Sequence, residues 1–340
     1  IGGIVRIKIS YRRNGQKSCD ERLVIMLEYQ EICKICNKEF NLELEFNRHP
    51  YKIHGINLKT YYEKIFDRRD KLTGEKIEYK NKEQYFSVDF LTKTNLKKWL
   101  KKQDIETQKD YCKELLTRRK EKKSLVFAPC QVELRSLSNI PPVSFYQELF
   151  GDYYKLCEEL GFKNRFANIT APKSQELKDV CVIVDSREQK PIIPDLDFQV
   201  GKLDYGDYTL SKPELCGNIY IERKTLQDFA GTISQGYERF ENEIVRAKNA
   251  LAYLIVLVEA PFSSVMGIEY LPWFKRVTNS KITGEFLFHR IRELLQKHDN
   301  LQFLFVKDRA EFVETLKKIF FTGGFFKTVD AQLLYDKKLL

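Results

Sequence analysis

Four residues in the second half of the chain have the types and spacing of a site that cuts phosphodiesters. Asp185 ends a short apolar run, Asp207 follows a glycine, and Glu222 and Lys224 lie two apart in the alternating segment NIYIERK. A period of two is typical of a β-strand, so Glu222 and Lys224 are predicted to point to one face. Carboxylates at the ends of adjacent strands are suitable ligands for Mg²⁺ or Mn²⁺. We therefore predict metal binding by Asp185, Asp207 and Glu222, with Lys224 as the catalytic lysine that stabilises charge on a phosphate.

A second cluster, near the N-terminus, has the spacing of zinc ligands. Cys33 and Cys36 are followed by twelve residues, His49, four residues and His54. The pattern C-x2-C-x3-F-x5-F-x2-H-x4-H resembles the C2H2 zinc finger, in which two thiolates and two imidazoles form a tetrahedron. Its two phenylalanines would supply the small core of such a unit. We predict a structural Zn²⁺ at this site.

Whether this finger contacts DNA bases stays open. Counted from the usual helix start, the base-reading positions are Leu42, Glu45 and Arg48. Leucine and glutamate are poor partners for phosphate, and Pro50 is expected to disturb the helix between the two histidines. The following segment, 56–62, is predicted to pack against the finger. A structural or positioning role therefore remains beside base reading.

Predicted strands and helices alternate along the second half of the chain, and these elements must position the acidic residues. A mixed βα alternation of this kind predicts a sheet covered by helices. The predicted strands lie at 180–184, 218–224, 254–258 and 301–306, and the predicted helices at 237–250, 284–298 and 310–320.

These residues resemble the nuclease domain of the XPF family, in the PD-(D/E)XK superfamily. The family pattern GD…ERK-x3-D is matched by 206–207, 222–224 and Asp228, and its V-D-x-R-E element by 184–188. The resemblance implies a restriction-endonuclease-like α/β fold, with a central mixed sheet flanked by helices, and metal-dependent DNA endonuclease activity. It also assigns completing or supporting roles in the site to Glu188, Arg187, Arg223 and Asp228.

Each of these supporting residues also has a purely structural interpretation. Asp228 has the spacing of a capping box with Thr225. Arg223 alternates away from Glu222 and either pairs with Glu222 structurally or contacts DNA. Glu188 has the character of a surface salt-bridge residue.

The basic residues are concentrated in the N-terminal half. The chain has a net charge of +10, and residues 1–178 carry +11 against −1 for residues 179–340. Residues 93–123 contain 12 basic and 5 acidic residues with apolar residues at helical spacing, which predicts one or two basic amphipathic helices. Such helices fit a phosphate backbone, although a solvated helix face or a generally lysine-rich composition would give the same pattern. The residues predicted to bind DNA are Lys97, Lys98, Lys101, Lys102, Arg118, Arg119 and Arg239; the last begins an R-F…E segment that looks like a helix of the same family.

The predicted domain organisation has five parts. Residues 141–166 have a helical apolar stripe, similar to small DNA-binding repeats but equally typical of a plain helical hairpin. The order is a zinc-finger segment at 1–66, a basic helical region at 67–130, a small helical module at 131–170, a linker at 171–178 and the nuclease domain at 179–340.

Composition excludes several other classes of protein. No apolar run approaches the roughly 20 residues of a membrane span, and no signal-peptide pattern opens the sequence. The 8 cysteines are mostly scattered, which favours an intracellular protein with reduced thiols. We expect the cytoplasm or nucleoid of a prokaryote or phage-infected cell, or a nucleus in a eukaryote. Dimerisation stays open, because the XPF family's usual dimerising C-terminal domain is not found in this sequence.

The function predicted from these patterns is a metal-dependent DNA endonuclease of homing or phage type, directed by its N-terminal zinc finger and basic region. Two alternatives remain. One is a structure-selective flap or fork endonuclease, as in the XPF family. The other is a non-catalytic DNA-binding protein with a vestigial nuclease fold.

Overall fold

The computed structural model describes residues 6–11, 23–28, 30–167, 173, 179–188, 191, 196–277 and 282–340, with the backbone alone at 6–11, 23–28 and 275–277. The predicted linker 171–178 lies outside the described residues, apart from Lys173. The chain divides into two compact units, Ile1–Lys102 and Gln103–Leu340. The five predicted domain boundaries remain a prediction.

In its described residues, the first unit contains two small antiparallel sheets and four helices. Its core is aromatic: Phe46, Tyr61, Tyr62 and Tyr85 are buried and pack edge to face on one another. The elements are β1 (Arg6–Tyr11), β2 (Leu23–Glu28), β3 (Glu31–Ile32), β4 (Glu39–Phe40), α1 (Glu43–His54), α2 (Leu58–Phe66), α3 (Lys82–Ser87) and α4 (Lys93–Leu100).

The second unit begins with four helices: α5 (Ile105–Lys123), α6 (Gln131–Arg135), α7 (Val143–Phe150) and α8 (Tyr153–Glu159). The basic stretch 93–123 therefore forms two helices, α4 and α5, which belong to different units.

Helices α7 and α8 are joined to the C-terminal part of the second unit by a buried polar network. Asp330 Oδ2 accepts hydrogen bonds from the Gln131 backbone N–H at 2.6 Å and from the Tyr154 hydroxyl at 3.1 Å. Tyr146, Tyr153 and Tyr154 are buried. These contacts favour the helical-hairpin interpretation of residues 141–166.

A six-stranded mixed sheet forms the centre of the second unit, which confirms the predicted fold class. Its order is β10-β9-β8-β7-β5-β6; β7 is antiparallel to β5 and β8, and the remaining neighbours are parallel. The strands are β5 (Val182–Asp185), β6 (Phe198–Gly201), β7 (Tyr208–Leu210), β8 (Ile219–Lys224), β9 (Tyr253–Val258) and β10 (Leu301–Phe305).

Among the described residues, the helices that follow β8, β9 and β10 are α9 (Leu226–Ile233), α10 (Tyr237–Asn249), α11 (Phe262–Met266), α12 (Pro272–Val277), α13 (Gly284–Lys297), α14 (Arg309–Phe320) and α15 (Ala331–Asp336). The predicted strands and helices match these bounds within two residues at either end.

Helices cover both faces of the sheet. Ile219 and Ile221 share one apolar cluster with residues of α14 and α15. On the opposite face, Phe305 packs against Phe229 of α9 at 5.6 Å and Phe288 of α13 at 5.7 Å between ring centres. Among the helices of the described residues, none combines the length and the apolar character that crossing a membrane requires.

Candidate active site and metal centre

The C-terminal end of β8 carries a buried ion pair. Glu222 and Lys224 point to the same face, and the Lys224 ammonium donates to Glu222 Oε1. Burial raises the pKa of Glu222 to about 8, and the Asp207 charge adds to this shift. Burial would lower the pKa of Lys224, but the Glu222 carboxylate holds it above its usual value. At this end of β8, the Glu222 carboxyl has a raised pKa and lies against the Lys224 ammonium.

Asp207 lies beside this pair because the chain turns sharply before β7. Gly206 adopts φ +66°, and a Cβ there would come within 3.1 Å of the Ile221 carbonyl oxygen, so the turn requires glycine. Asp207 Oδ2 accepts a hydrogen bond from the Arg223 backbone N–H at 2.7 Å. Burial raises the pKa of Asp207 to about 6. The partly buried Asp207, just before β7, and the buried Glu222 of β8 thus lie in one site of reduced polarity.

Asp185 is held more tightly than the other two acids. It ends β5 and is only 2% exposed. Its Oδ1 accepts from the Arg187 backbone N–H at 2.7 Å and from Arg187 Nε at 2.8 Å, and its Oδ2 accepts from the Leu203 backbone N–H at 2.7 Å. Although burial would raise the pKa of Asp185, these donors lower it below the usual value. Arg187, one of the predicted site residues, therefore neutralises Asp185 directly.

The three predicted metal ligands are neighbours, but their oxygens do not form a close cluster. The Asp185 backbone N–H donates to the Asp207 carbonyl at 2.8 Å, which links β5 to the turn. Within the described residues, Cys33, Cys36, His49 and His54 of the first unit form a close group of candidate metal ligands, with all four ligand atoms within 4.8 Å of one another. Asp185, Asp207 and Glu222 are not such a group.

Arg223 points away from Glu222 and forms a buried three-residue ion network. Its Nη1 lies 3.2 Å from Glu188 Oε1, its Nε 2.7 Å from Glu259 Oε1, and its Nη2 3.1 Å from Glu259 Oε2. The Arg223 side chain is 7% exposed. Arg223 therefore forms ion pairs, but with Glu188 and Glu259 and not with Glu222, and the Glu188 side chain is largely buried although it was predicted to lie at the surface. Glu259 was not predicted, although its place directly after the apolar strand β9 was a usable signal.

Asp228 lies in the first turn of α9, where its contacts are those of a helix cap. Thr225 Oγ1 donates to Asp228 Oδ2 at 2.6 Å and accepts from the Asp228 backbone N–H at 3.3 Å. Both groups are at the surface. The capping interpretation of Asp228 is thus present in the structure.

Helix α10 brings one further carboxylate towards the site. Glu243 Oε1 accepts from the Gly206 backbone N–H at 3.3 Å, and its charge raises the pKa values of Asp207 and Glu222. The sequence pattern included Glu243, but it was not assigned to the site. Arg239, one turn earlier on α10, is exposed.

The Cys/His group of the first unit, Cys33, Cys36, His49 and His54, has dimensions close to those of a tetrahedral metal site. Cys33 Sγ lies 3.5 Å from His54 Nε2, Cys36 Sγ 3.2 Å from His49 Nε2, and the two Nε2 atoms 3.2 Å from each other. Four Cys and His ligands around one Zn²⁺ stand about 3.3 to 3.8 Å apart. Burial lowers the pKa of His49, which favours the neutral imidazole that a metal requires.

The prediction that Pro50 would disturb the finger helix is wrong, because α1 runs unbroken from Glu43 to His54. A proline removes one backbone hydrogen bond and crowds the carbonyl four residues earlier, but this effect is local. Phe46 and His49, just before Pro50, are both buried, and their packing keeps the segment helical. The following segment packs on the finger as expected, with Tyr61 5.7 Å from Phe46 between ring centres.

The predicted DNA-contacting residues lie at the surface of both units. Leu42, Glu45 and Arg48 of the finger are exposed. In the first unit, Lys98, Lys101 and Lys102 are exposed and Lys97 is partly buried. In the second unit, Arg119 is partly buried and Arg118 is exposed. Arg118 Nε lies 3.4 Å from Glu114 Oε1.

The second unit is a mixed α/β domain whose central sheet is flanked by helices and has acidic residues and a lysine grouped at the ends of neighbouring strands. Comparison with protein families identifies the particular domain: residues 184–319 match the ERCC4 domain. The C-terminal half of the chain therefore contains a nuclease domain of the XPF family, which confirms the resemblance seen in the sequence.

Two solved structures are similar to this chain. XPF from Aeropyrum pernix is 19% identical with a TM-score of 0.30, and its complex with DNA is 21% identical with a TM-score of 0.29. Each match covers 41% of this chain and 63% of the other. The comparison with curated proteins found no match.

Proposed function

We propose that this chain is a divalent-metal-dependent DNA endonuclease that hydrolyses phosphodiester bonds. The observation that supports this most strongly is the Glu222–Lys224 ion pair beside Asp207, inside the residues that match the ERCC4 domain. Carboxylates and a lysine at the ends of adjacent strands are the groups that phosphodiester hydrolysis requires.

The donor set fits Mg²⁺ or Mn²⁺. Glu222 is buried and Asp207 is partly buried, and burial raises the pKa values of both carboxyls, so a bound cation would stabilise their anions. Hard divalent cations prefer such oxygens. Asp207 and Glu222 would hold the ion, and Asp185 would join them if Arg187 released its carboxylate. When bound, the ion would polarise the phosphodiester and lower the pKa of a water molecule.

The residues of this chain would then act around the scissile phosphate. The Lys224 ammonium would donate hydrogen bonds to a phosphate oxygen and offset the charge that develops in the transition state. The Arg223 backbone N–H holds Asp207 in place at 2.7 Å. The Arg223 side chain fixes the end of β8 through its ion pairs with Glu188 and Glu259, so its role in this proposal is positioning.

The first unit would bind Zn²⁺ and help to direct the enzyme to DNA. The distances among Cys33, Cys36, His49 and His54 support zinc as a structural ion. The exposed Lys98, Lys101 and Lys102 and the exposed helix residues of the finger provide a surface for phosphates. We infer site-directed cutting of homing or phage type from this combination of modules.

The mode of cutting is tested by comparing two substrates with Mg²⁺, a linear duplex of random sequence and a 3′ flap of random sequence. Defined cuts in the duplex would support site-directed cutting. A clear preference for the flap, without defined duplex cuts, would support the structure-selective alternative. Binding of both substrates without any cutting, with Mg²⁺ and with Mn²⁺, would overturn the proposal in favour of a non-catalytic DNA-binding protein.

A further inference from the structure

Helix α10 contacts the turn that carries Asp207. Glu243 Oε1 of this helix accepts a hydrogen bond from the Gly206 backbone N–H at 3.3 Å. Gly206 is buried, so water does not readily replace this acceptor, and a buried amide without a partner is costly. The turn therefore depends on a side chain that lies 37 residues later in the chain.

The packing of α10 holds Glu243 in place. Phe240, Ile244 and Ala247 are buried along one side of this helix, and α10 packs against β9. Glu243 lies between Phe240 and Ile244 and is itself partly buried. In the part of the chain that the structure describes, no lysine, arginine or histidine nitrogen lies within 4.0 Å of its carboxylate oxygens. The carboxylate is therefore engaged with the turn rather than with an ion pair.

The other contacts of Asp207 come from the sheet. Its backbone N–H donates to the Ile221 carbonyl at 2.8 Å, and its Oδ2 accepts from the Arg223 N–H at 2.7 Å. Its carbonyl accepts from the Asp185 N–H at 2.8 Å. Neighbouring strands thus hold Asp207 from one side. The hydrogen bond from Gly206 to α10 holds the peptide just before the acid from the helix side.

We propose that Glu243 is a positioning residue for Asp207, acting through the Gly206 amide to keep the Asp207 carboxylate in place as a ligand of the divalent ion. This inference rests on the proposed function, because it takes Asp207 as a metal ligand. Groups that orient a metal ligand in this way usually cost about 10- to 100-fold in metal affinity or activity when they are removed.

The hydrogen bond to Gly206 requires the Glu243 oxygen and not its charge. The charge is unfavourable beside two other carboxyls, since it raises the pKa values of Asp207 and Glu222. Glutamine at this position would keep an oxygen acceptor of the same reach and remove the charge. A positioning role therefore predicts that glutamine rescues what alanine loses.

The test compares Glu243→Ala with Glu243→Gln. In Glu243→Ala, single-turnover cleavage in Mg²⁺ should slow by about 10- to 100-fold, and the Mn²⁺ concentration that half-saturates the protein should rise by a similar factor. Electron paramagnetic resonance of Mn²⁺ measures this binding without DNA. Glu243→Gln should recover both quantities to within about 3-fold of the parent. DNA affinity in EDTA should be parental in both variants.

Hydrogen exchange in EDTA supplies a readout that does not need the metal. In Glu243→Ala, segment 203–210 should take up about one more deuteron at short times than in the parent, because the Gly206 amide has lost its acceptor. Glu243→Gln should show the parental uptake. The matched control is Glu238→Ala, an exposed acid of the same helix, which should equal the parent in every measurement. If Glu243→Ala does not fold, Glu243→Met, which keeps the length of the side chain without the oxygen, takes its place.

Two results would overturn the inference. In the first, Glu243→Ala matches Glu238→Ala in cleavage, Mn²⁺ binding and exchange. In the second, Glu243→Gln loses cleavage and Mn²⁺ binding as fully as Glu243→Ala while its exchange stays parental, so that the charge is required and not the hydrogen bond. Failure of the proposed function gives a different result. A parent that binds DNA but cuts it in neither metal overturns the nuclease activity, whereas Mn²⁺ binding and exchange in the variants still decide the role of Glu243.

Discussion

Glu222 and Lys224 form an ion pair on one face of β8, two residues apart, at the strand end next to Asp207. Burial raises the pKa of Glu222 to about 8, and the Lys224 ammonium opposes this shift in part. In the proposed mechanism, the same lysine also contacts the scissile phosphate. Because Lys224 has both roles, we expect its removal to have a large effect on catalysis.

Replacement of Lys224 by alanine should slow DNA cleavage by roughly 100-fold or more, the usual cost of losing one preorganised charge at the reacting phosphate. DNA affinity should be retained. Single-turnover cleavage of a labelled duplex in Mg²⁺ measures this effect. Lys212→Ala, an exposed lysine after β7, is the matched control and should cut at the parental rate. Equal rates for the Lys224 and Lys212 variants would show that Lys224 has no catalytic role.

Removal of Arg223 should destabilise the second unit. Arg223→Ala leaves Glu188 and Glu259 buried without their common partner, and breaking such a network costs about 3 to 5 kcal/mol. Urea unfolding measures the loss. Arg239→Ala, at an exposed position of α10, should change the free energy of unfolding by less than about 0.5 kcal/mol. Its DNA affinity should nevertheless fall. An Arg223 variant as stable as the parent would contradict a positioning role.

The purified protein should contain one zinc ion per chain, bound by the Cys/His centre. Cys36→Ser removes one ligand and should abolish the bound zinc, because three remaining ligands do not complete the tetrahedron. Elemental analysis after gel filtration measures the ratio. Cys181→Ser, a partly buried cysteine outside the centre, should keep its zinc. Zinc retained at the parental ratio in Cys36→Ser would place the ion elsewhere.

Asp330 should make the stability of the second unit depend on pH in the acidic range. Burial raises the pKa of Asp330 from 3.8 to about 6 in the folded protein. The folded state therefore keeps a proton that the unfolded chain releases between these values, so stability falls as pH rises from about 4 to about 6. The contribution is at most about 3 kcal/mol, from about 1.4 kcal/mol per pKa unit.

Urea unfolding of the parent and of Asp330→Asn at pH 4.5 and 6.5 isolates this effect, because other titrating groups cancel in the difference. The parent should lose more stability than the variant between the two pH values. Parallel losses would show that Asp330 titrates normally.

Much of the nuclease half was predictable from local sequence patterns. The apolar run of β9, the alternation in β8 and the helical periods of α10 and α13 are each set by residues close in the chain. The Cys/His group was equally predictable, because its four residues come from one short segment with a fixed spacing.

The contacts that were missed depend on residues distant in the chain. Glu259 meets Arg223 only because β8 and β9 are neighbours in the sheet. The binding of both Asp185 oxygens by Arg187 and Leu203 depends on the loop after β6. Pro50 was judged by its backbone cost alone, whereas the burial of Phe46 and His49 decides its conformation. Local patterns contain no information about such partners.

The most direct test of the central claim is cleavage of linear random-sequence DNA by the parent and by Asp207→Asn. The measurement is made in Mg²⁺, in Mn²⁺ and in EDTA, with DNA binding measured in parallel. The account predicts that the parent cuts in either metal and not in EDTA, and that Asp207→Asn binds DNA as the parent does but cuts in neither metal. Cutting by Asp207→Asn at the parental rate, or by the parent in EDTA, would contradict a metal-dependent site at Asp207 and Glu222.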